Sequence, residues 1–200
     1  MIVGITGGIA CGKTEAGKVL EGMGVPVLDA DEVAHYISKY EPDIKNAILE
    51  AIGGGAFTSN GLLDRKALGA VVFSDPAARA KLERILHPRI KEVLRENIEY
   101  AHSRGMHAVL AAPLLIEANF QDIADVIWVI SSEERLQVKR LRETYGISEL
   151  EAYRRINSQL PLHEKEAYAH YVLRNNGSLE EFQKAVVATW EKTIMEHPNG

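Results

Sequence analysis

Short apolar runs alternate with amphipathic stretches at both ends of this 200-residue chain, and this pattern predicts alternating strands and helices. Each predicted strand is almost continuously apolar, which is typical of parallel strands covered on both faces. The predicted strands are residues 1–6, 25–29, 108–112, 125–130 and 171–174. We therefore expect an α/β fold of three layers, with a parallel sheet between helices on both faces.

The middle of the chain has no convincing strand pattern and is predicted to be helical. Proline cannot donate a backbone hydrogen bond, so we expect His87-Pro88 to break one helix and start another. Helices are predicted over residues 42–52, 64–73, 76–86 and 89–104. Asp31 can begin the first helix of this segment as its N-cap.

Three Ser-x-x-Glu patterns predict capping boxes for helices near the C-terminus. They begin at Ser131, Ser148 and Ser178 and precede helices at about 133–144, 149–159 and 179–195.

The same pattern predicts the domain organisation. We expect a core of residues 1–30 and 105–200, a helical insertion of residues 31–104 and, within the core, a polar lid of residues 145–170. Nine basic and six acidic residues lie between Asp64 and Arg104. This positive balance suits an anionic ligand, and it also fits ordinary variation in surface charge.

The segment after the first predicted strand matches the phosphate-binding pattern G-x-x-x-x-G-K-[ST]. Its glycines allow the backbone to wrap a polyphosphate, and the N-terminus of the next helix adds positive partial charge. Lys13 can reach the β- and γ-phosphates, and the Thr14 hydroxyl can bind Mg²⁺. The predicted nucleoside triphosphate site comprises Gly8, Ile9, Ala10, Cys11, Gly12, Lys13, Thr14 and Glu15.

Asp29 ends the second predicted strand, and Asp31 follows two residues later. Because parallel strands end at the same edge of a sheet, we expect Asp29 and Asp31 to face the γ-phosphate. A carboxylate there can accept the proton of an acceptor hydroxyl or hold Mg²⁺ through water; alternatively, both residues only cap the next helix. The sequence has no guanine-binding N-K-x-D motif, and the strand at 108–112 ends in alanine rather than in an acid. These features argue against common GTPases and motor ATPases.

Phosphoryl transfer also requires cations near the transferring group. On the helix predicted after the fourth strand, Arg140 is our first candidate to contact the γ-phosphate, and Arg155 in the lid is the second. Arg135 and Lys139 share one helix face and fit an ordinary solvated surface.

Composition excludes several classes of function. The net charge of −5 argues against a nucleic-acid or membrane-surface binder, and no apolar run is long enough to span a membrane. One cysteine and the absence of a signal-peptide pattern lead us to expect a cytoplasmic protein, and its size fits a monomer. We interpret Cys11 as a small residue in a tight loop, although a helix N-terminus can lower a thiol pKa.

Over roughly residues 2–190 the chain resembles the dephospho-CoA kinase family, which catalyses the last step of coenzyme A synthesis. The phosphate loop is shared with many kinases, whereas the order of the D-A-D, H-P and P-L-L-x-E motifs is specific. The matching segments are Thr6-Gly7-Gly8-Ile9, Gly12-Lys13-Thr14, Asp29-Ala30-Asp31, Leu86-His87-Pro88, Pro113-Leu114-Leu115-Ile116-Glu117, Gln159-Leu160-Pro161-Leu162 and Asn175-Asn176-Gly177. The resemblance implies a P-loop kinase fold, ATP and Mg²⁺, and dephospho-CoA as a small-molecule substrate.

The resemblance also implies roles for individual residues. Asp31 would be the base toward the ribose 3′-hydroxyl, while Lys13 and Arg140 would steady the γ-phosphate. Thr14 would bind Mg²⁺, and Asn175 would lie near adenine. The expected substrate residues are Thr6, Asp29, Asp31, His87, Leu114 and Glu117. For His87 the alternative is a packed imidazole at a helix break, and for Glu117 it is a helix-surface charge.

Some positions depart from the family pattern. Glu15 stands where a small hydroxyl residue is usual, close to the expected α-phosphate, and Thr144 stands where an arginine is common. In the lid, Glu166 and Tyr168 occupy places where arginine is common, and His170 stands where an acid is common. These changes remove positive charge from the lid. Two alternatives therefore stay open: a kinase for another hydroxyl acceptor such as a nucleoside, and a non-catalytic ATP-binding module.

Overall fold

In a computed structural model of the chain, which describes residues 1–197, five parallel strands form one sheet in the order β2-β3-β1-β4-β5. The strands are β1 (Ile2–Gly7), β2 (Val27–Asp29), β3 (Ala108–Ala111), β4 (Val126–Ser131) and β5 (Tyr171–Arg174). The central strand β1 aligns Val3 with both Val109 of β3 and Val126 of β4. The predicted α/β class with a parallel sheet is confirmed.

Residues 1–197 also form nine α-helices. They are α1 (Lys13–Gly22), α2 (Ala30–Tyr40), α3 (Pro42–Ile52), α4 (Arg65–Ser74), α5 (Pro76–Ser103), α6 (Glu134–Tyr145), α7 (Glu149–Ile156), α8 (Leu162–Glu166) and α9 (Leu179–Glu196). None of the helices in this described part is both long and apolar enough to cross a membrane.

The chain forms two compact units. One unit contains the whole sheet and comprises Met1–Asp29 together with the described residues from Ile98 onward. The other unit, Ala30–Asn97, is mostly helical.

The core of the sheet unit consists of apolar strand residues covered by two helices. Every residue of β1 and of β4 is buried. Ala16 and Leu20 of α1, with Phe182, Val186 and Trp190 of α9, pack against alternate side chains of these strands. The fully buried Trp128 donates its indole N–H to Thr193 Oγ1 of α9 at 3.2 Å, which satisfies its polar atom. The strand ends that precede the phosphate loop are thus firmly supported.

The helical unit has a core of its own. Ile48 of α3 and Leu68 of α4 are buried together with Ala56. Asp64 caps α4, because its Oδ1 accepts hydrogen bonds from the backbone N–H groups of Lys66 and Ala67 at 2.9 and 3.0 Å.

The predicted break at Pro88 is wrong, because α5 continues through it. Proline removes one helical hydrogen bond, but residues on both sides are held by contacts outside the helix. Before it, Leu86 packs against the buried cluster of the helical unit. After it, the Arg89 guanidinium forms a forked pair with the Glu41 carboxylate at 3.0 to 3.1 Å. Tertiary packing therefore outweighs the local cost of the proline.

One of the three predicted capping boxes is also wrong. Ser131 is the last residue of β4, and its hydroxyl donates to Glu166 Oε1 at 2.6 Å instead of capping α6. The box at Ser178 is complete, and the Ser148 hydroxyl accepts from the Glu151 N–H at 3.2 Å. Because α2 begins at Ala30, Asp31 lies inside its first turn and is not the N-cap.

Candidate active site

The phosphate loop connects the end of β1 to the start of α1. The φ values of Gly7, Ala10 and Gly12 are 144°, 58° and 109°, so three residues between the end of β1 and the start of α1 have positive φ. This conformation favours glycine and strains other residues by about 1 kcal/mol or more. Turns of this type direct successive N–H groups toward one point and form an anion-binding concavity. The loop therefore has the backbone shape that a polyphosphate requires.

Side chains bind every carbonyl group of the loop from Gly7 to Cys11. Lys13 Nζ donates to the oxygens of Gly7 and Gly8 at 3.0 Å. Three further donors reach the next three carbonyls: Gln137 Nε2 to Ile9 at 2.8 Å, Arg140 to Ala10 at 3.2 Å and Asn175 Nδ2 to Cys11 at 2.9 Å. Three of these five carbonyls are therefore held by residues that are 128 to 164 positions away in the sequence.

Arg140 and Asn175 lie in contact. The Arg140 guanidinium donates to the backbone oxygen of Asn175 at 2.9 Å and to its Oδ1 at 3.3 Å, and also to the Ser132 hydroxyl at 3.2 Å. Two residues predicted for the nucleotide site thus form one network with the loop. These bonds direct the Arg140 guanidinium toward the loop and Asn175.

Glu15 is held away from the loop. Its Oε1 accepts a 2.6 Å hydrogen bond from Gln183 Nε2 on α9. The carboxylate is therefore directed toward α9, which reduces the repulsion expected between it and an α-phosphate.

Thr14 follows Lys13 in the first turn of α1 and is exposed. Among residues 1–197, no group of three or more His, Cys, Asp or Glu side chains could hold a metal ion. Mg²⁺ usually binds through one or two protein oxygens together with substrate phosphates and water. The Thr14 hydroxyl fits such an ion, which would arrive with the nucleotide.

Cys11 is fully buried in the loop. Burial raises the pKa of its thiol, although the nearby charges of Lys13 and Arg140 oppose this shift. The possibility of a lowered thiol pKa at the helix N-terminus is therefore wrong, because loss of hydration outweighs the positive charges.

A second cluster lies at the carboxyl edge of the sheet. Lys165 of α8 is completely buried, and its Nζ donates to Pro113 O at 2.8 Å and pairs with Glu117 Oε1 at 2.8 Å. The Thr6 hydroxyl donates to the same Pro113 oxygen at 3.2 Å, and the Leu160 N–H donates to Glu117 Oε1 at 3.1 Å. Two predicted substrate residues, Thr6 and Glu117, thus belong to this cluster, and Leu114 lies between Pro113 and Glu117 in the chain.

Glu117 lies in a turn and not on a helix, so its interpretation as a helix-surface charge is wrong. Sequence reasoning did not identify Lys165. Its hydrogen-bond partner Pro113 lies 52 residues away in the sequence. A lysine in a short polar segment carries no signal that it is buried.

Asp29 ends β2 at the same edge. It is aligned with Ala111 of β3, and Ala111 is aligned with Ile5 of β1. Asp29 is therefore two strand spacings, or about 10 Å, away from β1.

Asp31 and His87 belong to the helical unit. Asp31 lies in the first turn of α2, two residues after the strand end at Asp29. Burial lowers the pKa of His87 on α5, although Glu83 opposes the shift, so the neutral imidazole is favoured.

The residues that depart from the family pattern in the lid, and Thr144 just before it, contact strand β4 or solvent. Glu166 accepts from Ser131, and His170 Nδ1 accepts from the Ile127 N–H at 3.0 Å. The Tyr168 and Thr144 side chains are exposed.

A cavity of about 400 Å³ lies between the loop at Gly8 and Ile9 and residues 156–163.

Comparisons with known proteins place this geometry among related chains. The family model described as dephospho-CoA kinase matches residues 1–181. A dephospho-CoA kinase of Geobacter metallireducens is 38% identical over 199 residues, which cover 99% of each chain. The structure of TT1252 from Thermus thermophilus is similar with a TM-score of 0.80 and 30% identity, over 96% of this chain and 97% of that one. A dephospho-CoA kinase from Campylobacter jejuni shares the fold, with a TM-score of 0.73, 24% identity and 96% coverage of both chains.

Proposed function

This chain belongs to the dephospho-CoA kinase family, and we propose that it transfers the γ-phosphate of ATP to the ribose 3′-hydroxyl of dephospho-CoA. The products are ADP and coenzyme A. The observation that carries this proposal is the phosphate loop, with Lys13 inside it and with its carbonyls bound by surrounding side chains.

ATP binds with its phosphates in the loop. The ammonium of Lys13, which here binds two loop carbonyls, turns to the β- and γ-phosphates and offsets their charge. The backbone N–H groups of Gly8 to Glu15 and the N-terminus of α1 supply the remaining donors. Asn175 lies beside the loop, where we place the adenine, and Arg140 supports both Asn175 and the loop. The Thr14 hydroxyl would hold Mg²⁺, which when bound would offset negative charge on the transferring phosphate.

The acceptor hydroxyl attacks the γ-phosphorus in line with the bond to ADP. As the new O–P bond forms and the bond to the β-phosphate oxygen breaks, Asp31 accepts the proton of the hydroxyl. Asp29 either assists Asp31 or caps the next helix. We propose that His87, Leu114, Glu117 and Thr6 line the acceptor side.

We propose the corresponding division of the chain into residues 1–30 and 105–200 for the nucleotide, residues 31–104 for the acceptor and residues 145–170 as the lid.

Small water-soluble substrates and the net charge of −5 favour a cytoplasmic monomer that has no nucleic-acid or membrane partner. The hydrogen bond between Glu15 and Gln183 supports nucleotide binding, because it reduces the repulsion between the Glu15 carboxylate and the phosphates.

An acceptor panel tests this proposal. Purified protein is incubated with ATP, Mg²⁺ and one acceptor at a time, and ADP release is measured for dephospho-CoA, for nucleosides, for nucleotides and without acceptor. We expect release above the acceptor-free rate only with dephospho-CoA. A higher rate with a nucleoside would favour the kinase for another acceptor, and ATP binding without any acceptor-dependent release would favour the binding module.

A further inference from the structure

Gln137 of α6 is an almost fully buried glutamine, with 4% of its surface exposed. Its Nε2 donates a 2.8 Å hydrogen bond to the carbonyl oxygen of Ile9, 128 residues away in the sequence. Burial of an amide costs free energy unless the amide is hydrogen-bonded. The phosphate loop supplies this bond, so Gln137 and the loop depend on each other.

The direction of this bond fixes the direction of the next N–H group. In a trans peptide, the C=O of one residue and the N–H of the following residue point in opposite directions. Because the Ile9 carbonyl points toward Gln137, the Ala10 N–H points away from α6. Ala10 also has the strained φ of 58°, so this peptide needs an external contact to keep its orientation.

The amide of Gln137 fits only because residue 8 is glycine. A Cβ atom at Gly8 would lie 2.4 Å from Gln137 Nε2 and 2.9 Å from Cys11 Sγ. The loop and the Gln137 side chain are therefore in close contact at Gly8.

Helix α6 is itself a firm support. Val138, which follows Gln137, is buried with Leu141 and with Ala152 of α7, and Ile9 and Ala10 pack against this cluster. The amide is thus attached to a helix that apolar contacts hold against the same loop.

We propose that Gln137 is a positioning residue for phosphoryl transfer. Its amide holds the Ile9–Ala10 peptide so that the Ala10 N–H faces the bound triphosphate, and it acts through the backbone without touching the nucleotide. The inference rests on the proposed function only in requiring that the loop binds a triphosphate.

Gln137→Met tests this role, because methionine keeps the length of the side chain and removes the donor. The dissociation constant for ATP, measured by calorimetry, should rise about tenfold, as expected for one lost hydrogen bond and an unsatisfied carbonyl. KM for ATP should rise more than kcat falls, and inorganic triphosphate should lose affinity by the same factor. The matched control is Gln121→Met, in the 3₁₀ turn Gln121–Ile123 before β4, and its affinity for ATP should be unchanged.

A purely structural role predicts a lower thermal midpoint with an unchanged dissociation constant, and that result would overturn the inference. An equal loss of affinity in the Gln121 control would overturn it as well. Gln137→Asn provides a second variant if the methionine variant does not fold, because its shorter amide cannot reach Ile9 and should give the same loss. If the unaltered protein binds no ATP, the proposed function fails, and this inference fails with it.

Discussion

The ammonium of Lys165 and the carboxylate of Glu117 form a 2.8 Å ion pair in which the lysine is completely buried. The pair connects α8 to the turn after β3 and also holds the Leu160 N–H. It therefore joins the end of the proposed lid to the carboxyl edge of the sheet.

Removal of one partner should destabilise the protein. Lys165→Met leaves the Glu117 carboxylate half-buried without its counter-charge, so the free energy of unfolding should fall by about 3 kcal/mol. Chemical denaturation measures this change. Lys184→Met is the matched control. The side chains of Lys184 and of its partner Glu180 are 74% and 77% exposed, so their ion pair should contribute no more than about 1 kcal/mol. Equal losses in the two variants would contradict a structural role for the buried pair.

The proposed base can be tested apart from ATP binding. Asp31→Asn removes the proton acceptor, so kcat should fall by about a hundredfold or more, the usual contribution of a general base. The dissociation constant for ATP should stay within about twofold, since the phosphate loop is unchanged. Glu32→Gln alters the next residue of α2 and serves as the control, with near-normal kcat. Parallel loss of turnover and of ATP affinity in the Asp31 variant would show that Asp31 is not the base.

The hydrogen bond from Gln183 should keep Glu15 from repelling the nucleotide. Gln183→Leu frees the carboxylate, so the dissociation constant for ATP should rise about threefold at low salt. In a Glu15→Gln background, the same substitution should have no effect, because no charge remains to be redirected. An equal rise in both backgrounds would mean that Gln183 acts through packing of α9.

Cys11 gives a pH-dependent prediction. Its thiol pKa is raised in the folded protein above the usual 9.0, so the folded form keeps its proton where the unfolded form loses it. This contribution to stability is complete below pH 9 and is lost as the pH rises through the folded pKa. Denaturation midpoints should fall above pH 9 in the unaltered protein and fall less in Cys11→Ala.

Labelling provides an independent check on the same residue. Because Cys11 is the only cysteine, iodoacetamide should modify the native protein slowly at pH 8 and the unfolded protein rapidly. Fast labelling of the native protein would contradict a buried, protonated thiol.

The strands and the phosphate loop could be predicted because their signals are local. The loop pattern ending in Gly12-Lys13-Thr14 lies between an apolar run and a helix, and the spacing alone defines its chemistry. The strand at 171–174 could be predicted because it is rich in apolar residues and because the Asn175-Asn176-Gly177 turn follows it directly.

The remaining features depend on contacts that sequence spacing does not contain. Pro88 would break an isolated helix, but packing of Leu86 and the Arg89–Glu41 pair keep α5 continuous. Gln137 lies on a charged helix, and no local pattern indicates that its amide contacts the phosphate loop 128 residues away. The Ser131 hydroxyl binds Glu166, a partner that no local motif indicates.

The identity of the product tests the proposed reaction most directly. The protein is incubated with ATP, Mg²⁺ and dephospho-CoA, and the product is analysed by mass spectrometry and ³¹P nuclear magnetic resonance. We expect coenzyme A, with one new phosphomonoester at the ribose 3′ position and one ADP released for each coenzyme A formed. Bound ATP with unchanged dephospho-CoA, or a phosphate at any other position, would contradict it.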